Sequence, residues 1–90
     1  MAHETALSTA PGLRSLNALL GRTRAEILET VADGGVTTTE LAHDTGVAPA
    51  TASHHVGVLR KAGLLTTRRA GRMVLHTVTP LGLALLDGRA

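Results

Sequence analysis

Residues 37–65, TTTELAHDTGVAPATASHHVGVLRKAGLL, are punctuated so that two short helices and a tight turn satisfy them better than any other arrangement. Thr37 and Glu40 have the spacing of a capping box, in which the threonine hydroxyl accepts from the Glu40 amide and the carboxylate reaches back. Gly46 sits where a left-handed C-terminal cap belongs, so the helix opened at Thr37 is short. Pro49 lacks an amide hydrogen and has a fixed φ, both suited to a first helical turn, and Gly63 stops that second helix. Two short helices joined by a tight Gly-containing turn are the helix-turn-helix signal.

The flanks read just as locally. STAPG offers Ser8 or Thr9 as a cap ahead of Pro11, and Leu13, Leu16, Leu19 and Leu20 then recur at helical spacing. Gly21 breaks the run. Thr23 is expected to cap a second helix with Ile27, Leu28 and Val31 as its apolar stripe, ended by the Asp-Gly-Gly at 33–35. After the helix-turn-helix come LLTTRR and RMVLHTVT around a Gly-containing reversal, a β-hairpin with arginine at its tip. Alternation puts Val74, His76 and Val78 on one face and Met73, Leu75 and Thr77 on the other. Pro80 opens a last, almost wholly apolar helix. The expected fold is mainly α with a small β-hairpin (α+β), in the order ααααββα. Residues 1–9 read as a flexible N-terminal tail and 10–90 as one domain.

Composition narrows the function. There is no Phe, Tyr or Trp, so the core must be aliphatic, and single-strand nucleic-acid modules that stack bases on aromatic rings are disfavoured. Without cysteine there is no disulfide, thiolate metal site or thiol switch. Apolar runs fall far short of the ~20 residues that span a bilayer, and the N-terminus has no secretory pattern. A soluble, cytoplasmic protein with no membrane partner is expected. The charge is divided along the chain. Residues 1–44 carry three arginines against six acids, and residues 45–90 carry six basic residues against Asp87 alone. Such asymmetry suits a face that binds a polyanion, or a merely solvated basic surface.

The order of elements, with the stretches SHHVGVLRKAGLL and RRAGRMVLHTVTPLG, resembles the ArsR-type winged helix-turn-helix transcriptional regulators over roughly residues 13–86. LNALLGRTRAEILETVADG is similar to that family's opening helices. The resemblance implies a homodimeric repressor that binds double-stranded DNA at a palindromic operator and leaves it when an effector binds. It also marks departures. Where the best-known metal-sensing members carry cysteines, this chain has Val36, Thr37 and Thr38. Where others use Asp, His and Glu on the last helix, it offers only Asp87. No metal, cofactor or identified effector is therefore expected.

On the recognition helix, about 49–62, helical periodicity places Ala52, Val56, Leu59 and Ala62 on a core stripe. Ala50, Thr51, Ser53, His54, Gly57 and Lys61 fall on the opposite or flanking surface. Thr51, Ser53 and His54 are the expected base contacts, because a helix entering the major groove presents its N-terminal residues to base edges. Ala50 and Gly57 would allow close approach. His55 is either a phosphate contact or a hydrogen-bonded histidine at the core's edge. Lys61 and Arg60 are phosphate partners or a solvated helix end. Thr37 and Thr38 join the expected DNA contacts, as do Arg68, Arg69 and Arg72 on the wing, about 64–79, which would lie on flanking backbone or minor groove.

Adjacent His54 and His55 diverge by 100° and do not chelate one ion. His43 and Asp44 could join His3 or His76 only in an intersubunit site that no spacing supports. His76 reads as a hydrogen-bonded, inward-facing strand residue. No nucleophile elbow, paired carboxylates or phosphate loop points to an enzyme. The terminal leucines, among them Leu13, Leu16, Leu20, Leu81 and Leu85, are expected to form a dimer interface, or else to close the monomer's core. A protein-interaction module, or the DNA-binding end of a longer regulator, are the alternative readings.

Overall fold

The computed structural model describes residues 18–87. The expectations that fall on Leu13, Leu16, Ser8, Thr9, Pro11 and the tail at 1–9 lie outside it. Residues 18–20 are helical, and the chain then bends at Gly21, whose φ of 91° is a left-handed value that glycine adopts without strain. The bend starts helix α1, Arg22–Ala32, two residues earlier than a Thr23 cap would allow. Gly21 is the N-cap residue, its carbonyl accepts from the Ala25 amide at 3.0 Å, and no side chain caps the helix. Thr23 is therefore inside the first turn, because the glycine bend rather than a hydroxyl sets the boundary.

Helix α2, Thr38–Thr45, has the full capping box: the Glu40 amide donates to Thr37 Oγ1 at 3.1 Å and the Thr37 amide to Glu40 Oε1 at 2.8 Å. Gly46 ends it at φ 72°, with the Val47 amide donating to Ala42 O. Helix α3, Pro49–Lys61, begins on its proline and stops before Gly63. Strands β1, Leu65–Ala70, and β2, Met73–Val78, pair antiparallel from Leu65↔Val78 to Ala70↔Met73, with Gly71 and Arg72 as the two-residue connection. Helix α4, Pro80–Leu86, is capped by Thr79, which accepts from the Gly82 amide at 3.1 Å and donates its own proton to Gly63 O at 2.7 Å.

The hairpin has a third, single-residue partner. Val36, in the loop between α1 and α2, exchanges two backbone bonds with His76, at 3.2 and 2.8 Å. Together with α1, this ties the hairpin to the body. The core is wholly aliphatic, as the missing aromatics require: Ala25, Ile27, Leu28 and Val31 of α1, Leu41 of α2, Val56 and Leu59 of α3, and Leu64 and Leu65 at the hairpin's start. Gly82 is buried where α4 crosses the chain, and a Cβ there would stand 2.6 Å from Leu64 O and from Val78 Cγ2. A helix this close leaves room for no side chain at that point. No described helix is long and apolar enough to cross a membrane.

Candidate nucleic-acid interface

Packing divides α3 into two faces. Ala52, Val56 and Leu59 are buried, which fixes the rotation of the helix. Ala50, Thr51, Ser53 and His54 are consequently exposed along its first two turns, and Arg60 and Lys61 at its last. Ala62, expected on the core stripe, is exposed, because the helix has already ended at Lys61 and the chain is turning toward Gly63. Gly57 shares the stripe of Ala50, His54 and Lys61 at helical spacing, and a Cβ there would meet nothing within 4 Å. Nothing in the described fold requires that residue to be glycine.

His55 is half-buried at the border between the two faces. The Arg24 Nε–H donates to its Nδ1 at 3.1 Å, while Arg24 Nη1 donates to Leu20 O at 3.4 Å. An imidazole that accepts at Nδ1 is neutral and carries its proton on Nε2. Burial, then the charge of Arg24, then His54, all hold the His55 pKa below the ordinary histidine value. Leu20, Gly21, Arg22, Thr23, Arg24 and His55 line a shallow cleft of about 230 Å³ beside the exposed face of α3. The two histidine rings are tilted by 56°, with centroids 5.7 Å apart, so they present different edges rather than one chelating pair.

The hairpin extends the surface. Arg68, Arg69 and Arg72 are exposed. Strand alternation separates the first two: Arg69 lies on the face of Leu65 and Thr67, and Arg68 on the opposite face with Thr66 and Ala70. Arg60 Nη1 reaches Thr67 Oγ1 at 3.5 Å, so Arg69 continues toward the tip on the face that α3 packs against. Met73 and Val74, also exposed, sit across from Ala70 and Arg69 at the tip. Among the described residues none of Arg60, Lys61, Arg68, Arg69 and Arg72 is in an ion pair. Five cations left to solvent beside a helix face of small and hydroxyl-bearing residues are suited to an acceptor-rich polyanion.

Thr37 and Thr38 open α2, and both side chains already have work in the fold: Thr37 in the capping box and Thr38 Oγ1 at 2.8 Å from His76 Nε2. With the Val36 backbone paired to β2, the stretch 36–38 presents no group suited to a soft metal ion. His43 and Asp44 form an exposed pair at 3.5 Å, and among the described residues no three metal-ligating side chains come together. The Arg24–His55 bond links residues 31 positions apart, and no periodicity in the sequence points to it.

Of the leucines expected between subunits, Leu20 and Leu85 are half-buried against the core. Leu81 is 49% exposed, and it is joined by Leu83 at 45% and Leu19 at 70%. These three are the large apolar side chains on the first and last described helical segments that the core leaves most exposed.

Residues 19–68 match the family model described as a helix-turn-helix domain. The chain is 38% identical over 73 residues to the HTH-type transcriptional regulator Rv2034 of Mycobacterium tuberculosis, covering 81% of this chain and 68% of that protein. It superposes with a TM-score of 0.63 and 30% identity on a structure described as a "possible transcriptional regulator for arsenical resistance", covering 82% of this chain and 74% of the other. It shares the fold of a Lactococcus lactis ZitR mutant solved in complex with DNA, at a TM-score of 0.67 and 24% identity, covering 71% of this chain. It spans 46% of the ZitR chain's own length.

Proposed function

The chain belongs to the ArsR-type helix-turn-helix transcriptional regulators, and from that premise we propose that it is a cytoplasmic homodimeric repressor reading a palindromic duplex operator through α3. The observation that carries this reading is the division of α3 itself. Its aliphatic stripe is locked into the core, while Thr51, Ser53 and His54 stand exposed in its first two turns beside an arginine-bearing hairpin.

In this reading α3 lies in the major groove with its N-terminal half toward the base edges. The hydroxyls of Thr51 and Ser53 can donate or accept, and the His54 imidazole supplies a directional bond. Lys61, Thr38 and the Thr37 region meet the backbone, and Arg68, Arg69 and Arg72 hold the flanking phosphates or a narrow minor groove. Leu19, Leu81 and Leu83 join two subunits, setting two recognition helices about 34 Å apart, one turn of duplex. His55, tethered to Arg24, sits at the groove's edge with its Nε2–H available to a phosphate.

Selection of bound sites from random duplex DNA, repeated at two salt concentrations, tests the reading. A palindromic consensus with half-sites one helical turn apart, and an affinity that falls steeply with salt, is the expected result. Enrichment of no sequence, or binding indifferent to salt, would overturn it.

A further inference from the structure

Among the described residues one polar side chain is buried with the core, that of His76, 4% exposed in the middle of β2. Both ring nitrogens are engaged. Nε2 lies 2.8 Å from Thr38 Oγ1 at the start of α2, and Nδ1 lies 2.9 Å from Thr67 Oγ1 on β1. Thr67 Oγ1 in turn takes a long bond, 3.5 Å, from Arg60 Nη1 near the end of α3. Four side chains from four elements thus stand in series: Arg60, Thr67, His76, Thr38.

The direction of the series follows from what each group can give. A guanidinium only donates. A Thr67 oxygen accepting from Arg60 can place its own proton on Nδ1. A neutral imidazole with its lone pair at Nδ1 carries its proton on Nε2 and gives it to Thr38 Oγ1. The Thr38 proton is then the end of the line, and among the described residues no acceptor takes it. Run the other way, Thr67 would accept twice; accepting from the Arg60 guanidinium instead polarises the Thr67 hydroxyl as a donor, which favours the direction toward Nδ1. Burial and, next, the charge of Arg60 hold the imidazole below its ordinary pKa, which favours the neutral ring that the series needs.

We propose that His76 is a positioning residue for DNA binding: through this one-way series it locks the wing to both helices of the helix-turn-helix and leaves the Thr38 hydroxyl as a preset donor to a backbone phosphate. The proposal rests on the DNA-binding reading, but its core, the polarity of the series, does not need DNA. A second proton on the ring would turn Nδ1 into a donor. Thr67 would then have to accept from two cations at once, His76 and Arg60, and the series breaks at that end. Among the described residues, Arg60 on α3 is the one charged group acting on the ring. Its other neighbours, Thr38 of α2, Thr67 of β1 and the Val36 backbone, are neutral.

This sets two effects of acid against each other. A histidine that simply added charge near a polyanion would tighten binding as pH falls, whereas the series predicts that His76 loosens it. Heteronuclear NMR of the full chain at about pH 7.5 reads the His76 tautomer without DNA. The Nε2–H form with a bare Nδ1 is expected, and an Nδ1–H form or a charged ring would overturn the proposal. Affinity for a selected duplex is then compared at about pH 7.5 and about pH 5.5, at fixed salt, for the wild type and His76→Gln. The glutamine amide offers one acceptor and one donor and does not titrate. It is expected to bind more weakly than wild type at the higher pH, where the imidazole series is intact, and to lose less than wild type on acidification. Parallel pH profiles, or a wild type that gains more than the variant, would overturn the proposal. Thr38→Val should weaken binding about tenfold at the higher pH, and no change there would remove the phosphate donor. If His76→Gln does not fold, the tautomer still decides. If neither protein binds any duplex, the DNA reading fails while the NMR result stands.

Discussion

Replacing Gly57 by alanine should move stability and DNA affinity in opposite directions. Gly57 is in the interior of α3, between the buried Val56 and the half-buried Val58, with helical backbone and no positive φ. Glycine there costs the helix about 0.5–1 kcal/mol relative to alanine. A Cβ at this position would meet nothing within 4 Å, so no packing penalty opposes the gain. For a domain of this size 1 kcal/mol corresponds to about 4–8 °C, so thermal unfolding followed by circular dichroism should show a Tm rise of roughly 2–8 °C. The same open space is on the stripe of Ala50, His54 and Lys61. If that stripe enters the major groove, the added methyl is forced against a base edge or sugar. Overpacking of about 1–3 kcal/mol becomes a loss of roughly 5- to 150-fold in affinity for a selected duplex, read by fluorescence anisotropy. A Tm that stays level or falls would refute the helix argument. A raised Tm with unchanged affinity would refute the placement of this stripe in the groove.

Gly82→Ala should do the reverse to the fold: its Cβ would stand 2.6 Å from the Leu64 carbonyl and from Val78, so a net loss of about 1–2 kcal/mol and a Tm lower by roughly 4–16 °C are expected despite the better helix former. Arg69→Ala should weaken binding to all duplexes alike and reduce the slope of log affinity against log salt by about one, whereas His54→Ala should change which sequences are selected; identical effects on preference would undo the division of labour between wing and helix. His55 and His76 both have folded pKa values lowered from the ordinary value, so their neutral forms stabilise the fold above the unfolded pKa of about 6.5, and that stability is lost as pH falls through and below it. Tm measured from about pH 7.5 to about pH 5 should therefore fall, and less steeply in a His55→Gln variant; a flat profile counts against both assignments. Leu81 and Leu83 are half-exposed on α4, and Leu83→Glu should shift sedimentation toward the monomer and weaken operator binding, while an unchanged dimer would move the interface elsewhere.

What the sequence made legible is what chemistry decides within about four residues. The capping box at Thr37 and Glu40, the left-handed Gly46, the proline start at Pro49 and the stop at Gly63 are all local, and the structure has each of them. Thr23 misled because a hydroxyl near a helix start is only one way to begin a helix. The backbone freedom of Gly21 began it earlier. Ala62 continues the spacing of Leu59, but a periodicity cannot tell where its own helix stops. The ties that complete the site are long-range: Val36 to His76, Arg24 to His55, Thr38 to His76, and the press of Gly82 on Leu64. None leaves a trace at a spacing of two or 3.6 residues.

Those long-range ties bear on what orients the recognition helix. The buried stripe of Ala52, Val56 and Leu59 sets its rotation, but apolar contact is non-directional and tolerates sliding along the axis. Polar bonds do not. Arg24 holds His55 from α1 in the helix's second turn, and Arg60 meets Thr67 of β1 in its last. Both lie where the buried face gives way to the exposed one, so they fix the height and tilt of α3 against the body and the wing. Each also involves a histidine, His55 directly and His76 through Thr67. In the proposed reading, the geometry that Thr51, Ser53 and His54 present to DNA is therefore set by groups outside the contact face. It follows that Arg24→Ala should disturb recognition more than its distance from the proposed base contacts suggests, changing sequence preference as well as affinity. If Arg24→Ala merely lowers affinity for all duplexes equally, as loss of one phosphate contact would, then apolar packing alone orients the helix and the polar borders are incidental.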